Sequence, residues 1–230
     1  MKKFLAPSLV TAVVALASAV GAAGPPKPKL SFVRTSAQIS WSSHVGSSPG
    51  GGVSNTNTQS LRINVSAGGG ASAYTYGPDE ELVGIRGKTL LEITHLGFDS
   101  NGYLGNGAPR ISLGTTGPDG DHTFFLSAFW CHTAEDANGW RTSDFSDSAE
   151  SPGVSPGCTI FDQSGFTYPS IQAAGLAYPD DVVISSPSDW FLIVDEAPSL
   201  SYIDRLSVQD WCWTGNGTNG IVNANSGDCI

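Results

Sequence analysis

The chain has 230 residues and a formal charge of −10, from 21 acidic against 11 basic side chains. That balance argues against a nucleic-acid partner, whose phosphates it would repel, and against docking on anionic membrane surfaces. Only 14% of residues are charged, while 10% are aromatic and glycine and proline are abundant, which describes a loop-rich folded chain rather than a disordered one.

Met1-Lys2-Lys3 opens the chain, an apolar run follows from Phe4 to Val20, and small residues close it at Ala17-Ser18-Ala19 and Gly21-Ala22-Ala23. This is the pattern of a secretory signal peptide over residues 1–24, cleaved between Ala19 and Gly24. The run falls short of the roughly 20 apolar residues of a membrane span, so a retained anchor is the minor alternative. Residues 25–230 then read as a single secreted domain, extracellular or at the cell surface, with no membrane insertion once the signal is removed. Without Lys2 and Lys3, 9 basic residues face 21 acidic ones, a net of −12.

Gly24 to Lys29 reads as a Pro/Lys lead-in. Short β-branched and aromatic segments follow at Leu30–Val33 and Ala37–Trp41, then a Ser/Gly/Asn-rich loop over His44–Gln59. Leu61–Val65 alternates apolar and polar residues as a half-buried strand does. Gly68-Gly69-Gly70 is expected to break the chain before Ala73–Tyr76. Leu82–Ile85 is a strand or turn, Leu90–Phe98 a longer strand, and Arg110–Leu113 and Thr123–Trp130 two more, the last two joined through the Pro-Asp-Gly turn of Gly117-Pro118-Asp119-Gly120. Cys131–Gly157 reads as a polar, acidic insertion. Tyr168–Gly175 holds one short helix, capped by Ser170 or preceded by Pro169, and Asp181–Ile184, Trp190–Asp195 and Tyr202–Val208 complete the strands. Trp211–Ile230 reads as a Gly/Asn tail. About ten short strands with almost no helical periodicity predict an all-β fold, an antiparallel β-sandwich of jelly-roll type; the crossover helices of a parallel α/β fold are missing.

All four cysteines, Cys131, Cys158, Cys212 and Cys229, lie in the C-terminal half. In an exported chain an even count reads as disulfides, and four cysteines allow three connectivities. Pairing neighbours, Cys131 with Cys158 and Cys212 with Cys229, closes two segments poor in apolar residues, for about 3–4 kcal/mol each in the chain-entropy model. The C-x-x-C spacing of a thiolate metal site is absent.

From Ser31-Phe32-Val33-Arg34-Thr35 onward, the order of features resembles an uncharacterised family of secreted bacterial β-sandwich domains. The residues that carry the likeness are Ser60–Val65, Leu90–Phe98, Gly105–Leu113, Gly139-Trp140, Tyr168–Val183, Phe191–Asp195 and Tyr202–Val208. The last two segments are also similar to the end of galactose-binding-like jelly-roll modules, which implies carbohydrate binding. That second resemblance covers little more than two strands. It implies a role for Asp204, because a similar Asp in such modules joins a structural calcium site built from hard oxygen ligands; pairing with Arg205 or another arginine is the plainer alternative. The Cys131–Cys158 insertion and the disulfide-tied tail depart from the family.

Sugar rings offer apolar C–H faces and need flat apolar partners edged by polar groups. Four aromatics are least explained by strand alternation: Tyr103, Trp140, Trp211 and Trp213. These are the candidate ligand-binding residues; packing on the core, the disulfide or the sheet edge is the plainer alternative. Asp119, Asp121 and His122 sit at a hairpin turn without the length or terminal Glu of an EF-hand loop. Glu135, Asp136, Asp144, Asp147 and Glu150 read as a solvated acidic loop. A glycosidase requires two carboxylates across one cleft, and Glu92 is the best placed of the six Glu. The histidines His44, His95, His122 and His132 are scattered, and neither G-x-S-x-G nor H-E-x-x-H occurs. No catalytic residue is assigned. The reading is a secreted, non-catalytic binding or adhesion module for extracellular glycan or a cell-surface protein, with no cofactor beyond a structural calcium. A structural surface or matrix protein and a sandwich-fold glycoside hydrolase are the alternatives.

Overall fold

A computed structural model describes residues 29–42, 60–76, 84–105, 107–146, 158–184, 191–213 and 221–223. The leader reading, Asp147, Glu150, His44 and Cys229 fall outside the described residues. The fold is all-β and antiparallel, with thirteen strands in one curled sheet and a single short helix among the described residues.

Two long strands, β1 (Lys29–Ser42) and β2 (Ser60–Tyr76), pair along their whole lengths. The Gly68–Gly70 run does not break the chain, contrary to the sequence expectation. It bends β2 where β1 also bends, at Ser36, a bulge with φ of 50°. The two backbones approach so closely there that a Cβ on Gly69 would lie 2.6 Å from the carbonyl oxygens of Thr35 and Ser36, so glycine is what lets the bend form. Beyond the bend, one half of β2 pairs with β10 (Leu192–Val194); the other half pairs with β11 (Ser199–Val208). β10 and β11 thus follow one edge of β2 in succession.

On the β10 side the sheet continues through β4 (Arg110–Gly117), β5 (Gly120–Ser127), β7 (Ile160–Asp162) and β8 (Thr167–Tyr168), while β9 (Val182–Val183) joins the far end of β4. On the β11 side it continues through β3 (Leu96–Gly102) to β6 (Arg141–Asp144) on one edge and through β12 (Trp211–Trp213) to β13 (Ile221–Asn223) on the other. The Gly117-Pro118-Asp119-Gly120 hairpin forms as its sequence predicts.

Four further sequence expectations change. Leu90–Glu92 is a 3-10 turn, not the start of a strand, because Glu92 folds back to accept from the Thr89 backbone N–H at 2.8 Å; T-x-x-E is a helix-start signature. The acidic insertion contains β6, held at the sheet edge by pairing with β3. Strands β7 and β8 lie just beyond Cys158, where the sequence reading assigned no strand. Finally, the tail contributes β12 and β13 rather than hanging as a loop. The short helix α1 (Ile171–Ala177) forms as expected, with Ser170 Oγ accepting from Ala173 N at 3.1 Å.

The inner face of the sheet buries Phe98, Ile111, Leu113, Phe124, Leu126, Phe145, Ile160 and Phe191 in one apolar cluster that also takes in Ile171 and Ala174 of α1. The Cys131–Cys158 disulfide is formed and buried against this cluster. Cys212 is also disulfide-bonded. Among the described residues no helix is long and apolar enough to cross a membrane.

Candidate functional site

The four aromatics singled out in the sequence take different places. Trp140 is buried, held by a turn in which Asp136 Oδ1 accepts from the backbone N–H groups of Asn138 and Trp140 at 2.8 and 2.9 Å. Trp213 is buried in the core opposite Leu206, and Trp211 is half-buried against the same core. Trp140 and Trp213 are packed inward, by a tight turn and by strand pairing respectively. Tyr103 is 37% exposed, and its hydroxyl donates to Glu196 Oε2 at 2.6 Å. That contact raises the Tyr103 pKa, since ionisation would place two negative charges together.

A row of aromatics, half-buried except for the exposed Trp130, lies elsewhere. Strand pairing puts Ser112 beside Phe125 and Phe125 beside Phe161 on the outer face of β4, β5 and β7. Phe124 and Leu126 point into the core, so Phe125 between them must point out. Trp130, 41% exposed, extends the row: its ring centroid is 5.9 Å from Phe161 and 4.7 Å from Phe129. At the other end the Arg110 guanidinium lies over the Phe125 ring, 5.9 Å from its centroid.

Arg110 joins this row to Tyr103. Its Nη1 donates to the Gly107 carbonyl, Gly107 N donates to Glu196 Oε1, and Glu196 accepts from Tyr103. Both terminal nitrogens of Arg110 also donate to Asp195, each at 2.7 Å, a bidentate pair that fixes the guanidinium plane. The result is a row of aromatic side chains, Phe129, Trp130, Phe161 and Phe125, ending in an ordered polar cluster of Arg110, Asp195, Glu196 and Tyr103.

Two buried polar clusters lie apart from this face. On the inner side of the β4–β5 hairpin, Asp181 Oδ2 accepts from Thr115 Oγ1 at 2.6 Å and stands 2.8 Å from His122 Nδ1. The His122 ring lies 4.4 Å from Tyr178, whose hydroxyl donates to Asp162 Oδ2 alongside that of Tyr168. Burial works to raise the Asp162 pKa, but bonds from Phe166 N, Tyr178, Ser164 N and Tyr168 outweigh it and hold the carboxyl below its ordinary value. Tyr168 is shifted upward by burial and by its bonds to Tyr178 and Asp162.

The second cluster holds Asp204. Its Oδ1 accepts from Arg205 N at 2.9 Å, while the Arg205 side chain reaches Asp99 on β3, with Nε at 2.6 Å from Asp99 Oδ2. Thr142 on β6 donates to the other oxygen of Asp99. Among the described residues no group of three or more His, Cys, Asp or Glu side chains is gathered to hold a metal ion. Asp204 thus adjoins the Arg205–Asp99 ion pair that joins β11 to β3.

Glu92 lies in its exposed turn, Glu135 pairs with Arg141, and Asp144 accepts from Ser146 N and Oγ. These acidic groups serve local turns and ion pairs. No family model, curated protein or solved structure matches the chain.

The Asp181–His122 contact joins residues 59 apart and left no motif in the sequence. Trp130 and Phe161 were missed for another reason. Trp130 ends the segment read as the strand Thr123–Trp130 and Phe161 lies where no strand was assigned, and only once β7 is seen beside β5 do they fall on one face.

Proposed function

We propose that this chain is a secreted, non-catalytic module that binds extracellular carbohydrate through the outer face of β4, β5 and β7. The observation that supports the reading is the row Phe125, Phe161, Trp130, two half-buried rings leading to an exposed one, on a strand face that otherwise carries polar residues such as Ser112 and Thr123. Aromatic rings stack on the C–H faces of sugars, and the fixed donors and acceptors at the Arg110–Tyr103 end suit hydroxyl groups. Export is supported by the residue 1–24 pattern and by the formed Cys131–Cys158 disulfide, a bond that persists in oxidising compartments.

Trp130→Ala and Phe161→Ala tested on a glycan array read the proposal directly. The native protein should bind at least one glycan, and each variant should lose about tenfold or more in affinity while keeping its melting temperature within a few degrees, as expected for surface aromatic anchors. An array on which the native protein binds nothing contradicts the proposal, as do variants that bind as well as the native chain.

A further inference from the structure

Granted the carbohydrate-binding reading, the geometry points to one class of ligand: a single, soluble, uncharged glycan chain, rather than an acidic polysaccharide or the flat surface of a crystalline polymer. Ring orientation argues against the crystalline surface. The Trp130 and Phe161 planes meet at 64°, and those of Phe129 and Trp130 at 82°. A rigid flat surface stacks on rings that share a plane and cannot lie on both members of either pair. A single chain can, because it turns about its glycosidic bonds and offers successive sugar faces at different angles. With Arg110 on β4, Phe125 on β5 and Phe161 on β7, the face spans about two strand spacings of roughly 4.8 Å each before reaching Trp130. It therefore addresses several units of a chain rather than one terminal sugar.

Charge argues against the acidic polysaccharide. The cation in the row is Arg110, and Asp195 already occupies both of its terminal nitrogens. Asp121, paired with Thr116 at the hairpin end, adds an exposed carboxylate to the same strands. The whole chain carries −10. A polyanion would meet repulsion with no unpaired cation in the row to offset it. A neutral chain loses nothing to that field, and its binding should be nearly indifferent to salt.

The test is affinity gel electrophoresis of the full chain in gels cast with soluble β-glucan, galactomannan, xylan, alginate or polygalacturonate, alongside a pull-down on microcrystalline cellulose and chitin. Retardation by one or more of the three neutral polymers is expected, within about twofold between low and high salt, and lost in Trp130→Ala. Asp195→Asn, which frees Arg110 from its carboxylate, should increase retardation by alginate. Native binding to alginate or polygalacturonate that weakens with salt overturns the inference but leaves carbohydrate binding standing, and so does binding only to the crystalline polymers. Binding to none of the seven overturns both.

Discussion

Phe125 and Asp162 show how one residue's surroundings decide its role. Phe125 lies between two core residues and so faces outward; Asp162 is buried and therefore needs donors, which it finds in two tyrosines and two backbone N–H groups. Because these bonds lower its pKa in the folded state, Asp162 contributes stability that is fully present above the unfolded value near 4 and is lost as pH falls through the lower folded value. Asp162→Asn should cost about 1–3 kcal/mol at pH 7 by urea denaturation, and the gap to the native protein should close once the pH is below the folded value. Arg205 is a second such residue. It is buried against Asp99, and removing one member of a buried pair leaves the other charge uncompensated. Arg205→Met should lose about 3–5 kcal/mol in the same measurement. At this scale the sequence was partly legible: pairing of Asp204 with Arg205 or another arginine was one reading, and Arg205 does form an ion pair, with Asp99, whereas the apolar run Phe124-Phe125-Leu126 does not say which ring faces outward. The partners Asp99, Asp162 and Asp181 were not legible, because their bonds connect strands distant in sequence.

At the scale of elements, legibility followed apolar content. Strands β2, β4 and β5 and the Tyr202–Val208 part of β11, with Leu, Ile, Val or Phe at most inward positions, were read from the sequence, whereas the start of β11, with Ser199 and Ser201 inward, was not. β6, Arg141-Thr142-Ser143-Asp144, has no apolar residue and is a strand only because β3 offers it an edge. The glycine run of β2 was legible as punctuation but not as a bend, since a bend depends on how closely β1 approaches. Gly69→Ala should force those backbones apart and lower stability by about 1–3 kcal/mol, read as a drop in melting temperature. The Cys131–Cys158 bond closes a span of 27 residues around β6. Replacing both cysteines by serine should cost about 3 kcal/mol in the chain-entropy model, measured by denaturant titration of the double variant.

Across the whole molecule, one curled sheet creates two unlike surfaces. Its inner face, with α1, holds the apolar cluster and the buried network of Asp162, Tyr178, His122 and Asp181. Its outer face on β4, β5 and β7 carries the half-buried rings of Phe125 and Phe161 beside the exposed Trp130. All-β class and antiparallel pairing could be read from the spacing of short strands. The position of the open face could not, because it depends on β7 lying beside β5 across the Cys131–Cys158 segment. The expectation that Trp140, Trp211 and Trp213 would supply that face followed from their polar sequence neighbours; packing places two of them inside and the third against the core.

The most direct test uses the six tryptophans of the chain as reporters. A nitrogen-15 correlation spectrum of their indole N–H groups, followed during titration with a soluble neutral polysaccharide that retards the protein, should show the Trp130 signal moving progressively while those of Trp140 and Trp213 stay in place. Movement confined to Trp140, Trp211 or Trp213, with Trp130 unchanged, would contradict a binding face on β4, β5 and β7.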